Sequence, residues 1–345
     1  MSLHNEIFEQ PQVLQRLLDT QWETVQTITE TIRQQDVQSI FLAARGTSDN
    51  AGRYAKYLFG SVNRIPLALA APSLFSLYDS PPVLKNALVL GISQSGQSPD
   101  IVGVLEEART QQNLTLAITN DTQSPLANAA EFVLDVNAGP EKAVAATKTY
   151  TAQLMNIAML SAAWAEDTDM IQALRKVPDY IHEVLQLDAQ VKACVERYRF
   201  MNQCVVLGRG YNYATAYEWS LKMKELAYII AEPYSSADFL HGPIAVVAQG
   251  FPLMAIAADG AVFNDTLALL TKLRQSHQAE LLIISNRQEA LDLAQTPIQL
   301  PTNLPEWISP IVSIVVGQLF SYYLTKSKGL DVEAPRGLSK VTKTH

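Results

Sequence analysis

The stretch LVLGISQSGQS, residues 88–98, joins a continuous apolar run to a turn rich in hydroxyl groups. Such a run, bounded by turn residues, is typical of a strand that is buried on both faces of a parallel sheet. The same half of the chain holds three similar apolar runs, at residues 39–44, 114–119 and 132–136. Helical patterns lie between the runs, for example at residues 50–59 and 100–111. This alternation predicts an α/β domain with a parallel sheet covered on both faces.

The second half of the chain repeats this order at a nearly constant offset of about 165 residues. Its apolar runs are residues 203–208, 253–257 and 281–285, and the first of them ends in Arg209-Gly210 as residues 39–44 end in Arg45-Gly46. An offset kept across three strands predicts a tandem duplication. We therefore expect five segments: helices over 1–34, a first α/β domain over 35–166, a helical connector over 167–199, a second α/β domain over 200–329 and a tail over 330–345.

Composition narrows the function classes. The 345 residues are 48% hydrophobic and 17% charged, and the formal net charge is −8. The chain shows no basic stripe of the kind that binds nucleic acid. Cys194 and Cys204 lack the spacing of a metal site, and residues 307–324 are interrupted by polar residues, which favours a buried helix over a membrane span. The polar N-terminus does not resemble a signal peptide. We expect a soluble cytoplasmic protein that uses no metal and no organic cofactor, and that binds neither nucleic acid nor membrane.

The loop after the second predicted strand differs between the two halves. Residues 93–98 are SQSGQS, whereas residues 258–263 are ADGAVF. In a doubly wound sheet, ligands bind outside the carboxyl ends of the strands, where loop N–H groups and the positive end of a helix attract anions. The RGTS stretch at residues 45–48 follows the neighbouring strand and adds hydroxyls. Serine and threonine are also common in turns and helix caps, but two such loops at adjacent strand ends predict a phosphate site in the first half.

Candidate acid–base groups lie in the second half. A helix predicted over residues 217–230 places Glu218, Lys222 and Glu225 on one face, at i, i+4 and i+7. Such ion pairs are common on surfaces, yet this helix follows a strand-end turn at the ligand-binding edge. A loop predicted over residues 235–241 then ends in a histidine before Gly-Pro, and His241 is therefore a candidate for proton transfer near neutral pH.

The tail supplies one more candidate. Basic tails are usually solvated, but a lysine that folds over a pocket loses water and becomes a nucleophile. Lys340 lies in such a tail, among proline and glycine residues at 335–337.

Taken in order along the chain, these motifs resemble the SIS (sugar isomerase) family. The resemblance rests on Glu6-Ile7-Phe8-Glu9-Gln10-Pro11, Gly46-Thr47-Ser48, Ser93-Gln94-Ser95-Gly96, Val144-Ala145-Ala146-Thr147-Lys148, residues 221–228, His241-Gly242-Pro243, Pro335-Arg336 and Lys340. Within the family it is strongest to the isomerase half of the glutamine–fructose-6-phosphate aminotransferases. It implies two tandem doubly wound, flavodoxin-like subdomains with a C-terminal tail over the active site. Nothing resembles the glutamine-hydrolysing domain, so the chain is not expected to draw ammonia from glutamine by itself.

The resemblance also implies roles for single residues. Glu225 would move a proton between C1 and C2 of the sugar, with Lys222 and Glu218 shaping the charge around it. Lys340 would form an imine with the open ketose or stabilise it, and His241 would assist ring opening, reaching the site of a neighbouring subunit in a homodimer. The phosphate and sugar would be held by the remaining matched residues: Thr47, Ser48, Ser93, Gln94, Ser95 and Ser98 at the phosphate, and Val144 and Ser339 through backbone groups at the sugar.

The activity implied is that of a phosphosugar isomerase, interconverting glucosamine 6-phosphate and fructose 6-phosphate with release or uptake of ammonia. The loop at residues 233–240 departs from the family pattern, so the substrate stays open. One alternative is a deglycase of fructosyl-amino-acid 6-phosphates, or another phosphosugar isomerase. The other is a regulator that binds phosphosugars without turnover, although such a protein has no need of Glu225, His241 and Lys340 together.

Overall fold

The computed structural model describes residues 2–340 of the chain, and these residues form strands β1–β10 and helices α1–α15. The strands are β1 (Ser39–Ala44), β2 (Leu67–Leu69), β3 (Ala87–Ile92), β4 (Leu114–Thr119), β5 (Phe132–Asp135), β6 (Gln203–Leu207), β7 (Ile230–Tyr234), β8 (Pro252–Ile256), β9 (Glu280–Ser285) and β10 (Thr296–Gln299). The helices are α1 (Leu3–Phe8), α2 (Gln10–Gln34), α3 (Gly46–Leu58), α4 (Ser73–Ser76), α5 (Pro99–Thr110), α6 (Pro125–Ala129), α7 (Lys148–Trp164), α8 (Thr168–Leu174), α9 (Val177–Leu185), α10 (Asp188–Cys194), α11 (Tyr213–Ala227), α12 (Ser236–Phe239), α13 (Phe263–Gln275), α14 (Gln288–Leu291) and α15 (Ser309–Ser327).

The strands form two five-stranded sheets, and every pairing is parallel. The first sheet has the order β2-β1-β3-β4-β5, and the second has the equivalent order β7-β6-β8-β9-β10. In each sheet the strand order therefore reverses between the first and third strands, which is where doubly wound folds bind ligands. The predicted fold class, two tandem doubly wound α/β subdomains, is confirmed.

The chain divides into two compact units. The unit that contains the first sheet, here the first unit, comprises residues 9–142, 148–178 and the tail from Ser339. The second unit contains the second sheet and comprises residues up to Phe8, 143–147 and 179–338. The five domain limits expected from the sequence stay a prediction.

The two halves share details beyond strand order. Arg45 and Arg209 both lie just after the first strand of their sheet and have nearly the same extended backbone, at φ −136° and ψ 152° for Arg45 and φ −135° and ψ 155° for Arg209. Each is followed by a glycine with positive φ. Each arginine also forms an ion pair with an aspartate in the first turn of the helix after the third strand: Arg45 with Asp100 at 2.8 Å, and Arg209 with Asp265 at 3.1 Å. The same ion pair thus ties strand to helix in both halves.

The helix predicted over residues 217–230 is wrong at both limits. The observed helix α11 begins at Tyr213 and ends at Ala227. It ends there because Tyr228 adopts the left-handed conformation that terminates helices, with φ 56°. The chain then enters strand β7, which the sequence reading missed together with β2 and β10. All three are edge strands with interrupted burial, so none shows a continuous apolar run. At such an edge Pro233 is tolerated although it lacks an N–H group.

Two apolar helices lie deep within their own units. Helix α7 is buried from Lys148 to Ala163 in the first unit, and α15 is buried along most of its length in the second unit. The buried helix predicted over residues 307–324 is confirmed as α15. Among residues 2–340, no helix combines the length and apolarity needed to cross a bilayer.

Candidate functional site

The hydroxyl-rich loop lies between β3 and α5. Its turn depends on Gly96, whose φ is 62° and whose added Cβ would lie 2.0 Å from the Ser124 hydroxyl. The oxygens of Ser93 and Ser95 accept hydrogen bonds from the Gly96 and Gln97 N–H groups at 3.2 and 3.3 Å. The hydroxyl hydrogens of both serines therefore point away from these bonds and can be donated to an anion.

Ser98 distinguishes this loop from an ordinary helix cap. It occupies the N-cap position of α5, yet within residues 2–340 its side chain makes no capping hydrogen bond. A serine at this position normally accepts a bond from the first turn. The Ser98 hydroxyl is therefore left for another partner at the positive end of a 12-residue helix.

A second loop reaches the same edge of the first sheet. Ala44 at the end of β1 is in register with Ile92 at the end of β3, so the two following loops start side by side. Thr47 and Ser48 lie in the first turn of α3, at the positive end of the helix dipole. Ser48 is buried, and its oxygen accepts a hydrogen bond from the Gln153 side chain at 3.1 Å. The structure thus brings the predicted phosphate residues of both loops to one edge.

The predicted acid–base face is present in the second unit. Glu218, Lys222 and Glu225 share one face of α11, and the Lys222 Nζ lies 3.3 Å from Glu218 Oε1 and 2.6 Å from Glu225 Oε2. The side chains of Glu218 and Lys222 are 0% and 1% exposed, whereas that of Glu225 is 24% exposed. Of the two carboxylates, Glu225 is therefore the one that a ligand can reach.

The charge of Lys222 is fixed by its surroundings. Burial acts to lower the pKa of Lys222, but the carboxylates of Glu218 and Glu225 outweigh burial and raise the pKa above its ordinary value. Lys222 is therefore an ammonium at neutral pH and cannot act as a neutral nucleophile. It supplies a permanent positive charge beside Glu225.

His241 lies on the surface of the second unit. Its backbone N–H donates to the Asp238 carbonyl at 3.0 Å, and the following Gly242 has φ 129°. Two large apolar side chains near it in sequence, Leu240 and Val246, are 47% and 56% exposed. Its predicted contact with a neighbouring subunit stays a prediction.

Lys340 has a partner that the sequence reading missed. Its Nζ lies 2.6 Å from Glu141 Oε2 in the first unit, and the Glu141 side chain is fully buried. Glu141 also accepts hydrogen bonds from the N–H and the hydroxyl of Thr149, at 3.1 and 2.8 Å. A buried carboxylate needs such compensation, so Glu141 fixes the position of the lysine. Residues 341–345 of the predicted tail lie outside the described residues.

The preceding part of the tail is held in the second unit. The Arg336 N–H donates to the Tyr228 hydroxyl at 2.8 Å, and the guanidinium lies 3.9 Å from the centre of the Tyr228 ring. Tyr228 directly follows α11, three residues after Glu225. The tail therefore packs at the end of the helix that carries the predicted base.

Val144 and Ser339 are the residues predicted to bind the sugar through their backbone groups. Val144 is half-buried in the second unit, and Ser339 is exposed in the first. Within the described part of the chain, no group of three or more His, Cys, Asp or Glu side chains is arranged to bind a metal.

Two doubly wound parallel sheets in tandem, one with an anion-binding pattern at its switch point, define a class of two-domain α/β proteins. The chain belongs to the SIS domain family, whose sequence pattern matches residues 32–163 and 200–326. It is 34% identical to the isomerizing glutamine–fructose-6-phosphate aminotransferase of Thermus thermophilus over 348 residues, which cover 97% of this chain and 57% of that protein. The chain thus spans little more than half the length of the curated relatives that it matches.

Solved structures agree with this assignment. A crystal structure of a proposed phosphosugar isomerase from Silicibacter pomeroyi is 31% identical, with a TM-score of 0.86 and coverage of 95% of this chain and 98% of that one. The C-terminal domain of glucosamine-fructose-6-phosphate aminotransferase from Francisella tularensis is 26% identical, with a TM-score of 0.86 and coverage of 96% and 98%.

Proposed function

We propose that the chain is a phosphosugar isomerase that interconverts glucosamine 6-phosphate and fructose 6-phosphate and releases ammonia in the direction of the ketose. The observation that carries the proposal is the buried cluster on α11. It holds one reachable carboxylate, Glu225, against the permanent ammonium of Lys222. A protein that only binds phosphosugars has no use for a poised base. The names of the relatives in Thermus thermophilus and Francisella tularensis support the substrate pair.

In this proposal the first unit binds the phosphate. The hydroxyls of Ser93, Ser95 and Ser98, with Thr47 and Ser48, donate to the phosphate oxygens, and the N-termini of α3 and α5 add favourable dipoles. The Gln94 backbone belongs to the same loop, and its carbonyl accepts from Asn120 N at 3.1 Å, which keeps the loop in place. Val144 and Ser339 offer backbone groups to the sugar.

The proposed chemistry begins when His241 assists opening of the sugar ring. Glu225 takes the proton from C2 of the open aldose while the C1 oxygen gains a proton, which gives an enamine. Glu225 then returns its proton to C1 while the C2 amine loses one, so that the enamine becomes the imine of the ketose. Lys340 first gives its proton to the Glu141 carboxylate beside it. The free Lys340 amine then attacks C2 and expels ammonia, and water hydrolyses the resulting imine to free the ketose and the lysine. Glucosamine 6-phosphate and water thus give fructose 6-phosphate and ammonia. The ammonium of Lys222 stabilises the negative charge that develops between C1 and C2.

A substrate panel tests the proposal. The purified chain is incubated with glucosamine 6-phosphate, fructosyl-amino-acid 6-phosphates and aldose 6-phosphates, and ketose phosphate and ammonia are measured. We expect turnover with glucosamine 6-phosphate and equal amounts of fructose 6-phosphate and ammonia. Turnover only of a fructosyl-amino-acid phosphate would favour the deglycase alternative, and binding without any turnover would favour the regulator.

A further inference from the structure

The second half of the chain has an anion at the place that corresponds to the phosphate loop. This anion is the carboxylate of Glu306, in the segment between β10 and α15. Its Oε2 accepts a hydrogen bond from the Ala261 N–H at 2.8 Å. Ala261 lies between β8 and the 13-residue helix α13, as the loop at residues 93–98 lies between β3 and α5.

Two glycines lie close to this carboxylate. A Cβ added to Gly260 would lie 2.2 Å from Glu306 Oε2, and one added to Gly210 would lie 3.8 Å from Oε1. Gly210 follows β6 and Gly260 follows β8, so the carboxylate lies at both strand-end loops of the second switch point. Gly260 has φ 151° and Gly210 has φ 61°, conformations that side chains rarely adopt. At both positions, and above all at Gly260, the missing side chain leaves room for the Glu306 carboxylate.

The duplication gives Glu306 a counterpart in the first half. Glu141 and Glu306 are separated by the same offset of about 165 residues that relates the strands. Each lies between the fifth strand of its sheet and the long buried helix that follows. In the first unit the Glu141 carboxylate is bound to Thr149 and Lys340. The two glutamates have thus taken different partners.

We propose that the second half retains an anion site at its switch point and that the Glu306 carboxylate is its built-in ligand. The neighbouring Asp259 does not oppose this, because its carboxylate is paired with Arg287 at 2.7 Å. Glu306 occupies the site, stabilises the two loops and excludes an external phosphate. If the proposed function holds, each chain therefore binds one sugar phosphate, and it binds it in its first half.

Chemical rescue tests the site without any activity measurement. Glu306→Ala removes the ligand, Glu306→Gln keeps a hydrogen-bond acceptor without the charge, and Glu183→Ala removes an exposed glutamate of α9 in the same unit as a control. Thermal unfolding is followed in sodium chloride and in sodium acetate at equal ionic strength. In chloride we expect Glu306→Ala to lower the midpoint by on the order of 2–4 °C, and Glu306→Gln by less. Acetate should raise the midpoint of Glu306→Ala well beyond its effect on Glu183→Ala and on the unchanged chain.

The proposal is wrong if Glu306→Ala unfolds at the same temperature as the unchanged chain in chloride, or if acetate affects it no more than it affects Glu183→Ala. Should Glu306→Ala fail to fold, Glu306→Gln decides, because a midpoint equal to that of the unchanged chain would contradict a role for the charge. A chain that turns over no phosphosugar would leave this result unaffected, since the readout is stability.

Discussion

Two lysines in this protein are each paired with buried carboxylates, but their surroundings suit them to different tasks. Lys222 is 1% exposed and lies between Glu218 and Glu225, so it stays an ammonium. Lys340 is 23% exposed and contacts Glu141. Of the two, Lys340 is the one that a substrate carbonyl can approach. We therefore propose that Lys340 forms the imine and that Lys222 stabilises the developing negative charge.

Glu225→Gln is expected to abolish turnover and to leave binding of the sugar phosphate intact. The amide keeps the shape of the side chain but cannot accept the proton, so kcat should fall by about 100- to 10,000-fold. The rate is measured with glucosamine 6-phosphate and the affinity by calorimetry. Glu232→Gln, on the exposed edge strand β7, is the control and should keep the rate of the unchanged chain. A Glu225→Gln rate within tenfold of that of the unchanged chain would assign the base to another group.

At the scale of elements, the inner strands and the edge strand β5 were predictable from the sequence, and the other three edge strands were not. β1 and β4 begin and end at the predicted residues, because the inner strands of a parallel sheet are largely apolar along their length. In the edge strands β2, β7 and β10, buried residues are interrupted by exposed ones, so their short sequences resemble those of loops. The face of α11 was predictable from its spacing. The partner of Lys340 was not, since Glu141 is 199 positions away in sequence and only the fold brings it near.

The loop between β3 and α5 gives a prediction at this scale. The double substitution Ser95→Ala with Ser98→Ala should weaken binding of fructose 6-phosphate, because each hydrogen bond lost to a charged group costs about 1.5–3 kcal/mol. Calorimetry measures the change in affinity. The pair Ser76→Ala with Ser80→Ala, near helix α4 of the same unit, is the matched control and should have no effect. Equal affinities for both double variants would place the phosphate elsewhere.

At the scale of the whole molecule, a duplicated fold has been put to two uses. The repeated strand order and the repeated Arg–Asp pairs preserve the scaffold. The hydroxyl-rich loop is present in one half, and the predicted acid–base helix in the other. The duplication itself was readable from the constant offset in the sequence. The different partners of Glu141 and Glu306 could not be predicted from the sequence, because they depend on the packing of loops that are distant along the chain.

The tail gives a prediction that separates structural from catalytic roles. Lys340→Arg keeps a positive charge for Glu141 but cannot form an imine. We expect this variant to fold and to bind the sugar phosphate, yet to lose nearly all turnover. Lys272→Arg, at an exposed position of α13, is the matched control and should keep its activity. Borohydride added with fructose 6-phosphate should increase the mass of the unchanged chain at Lys340. A Lys340→Arg variant with undiminished rates would contradict the role of the lysine.

The central claim is that this chain moves a proton between C1 and C2 of a hexose 6-phosphate. Proton NMR in D₂O tests it directly, with glucosamine 6-phosphate or fructose 6-phosphate as substrate and with the Glu225→Gln variant alongside. With the unchanged chain we expect conversion between the two sugars or deuterium at C1 or C2, and with Glu225→Gln we expect neither. Binding of both sugar phosphates without conversion or deuterium incorporation would contradict it.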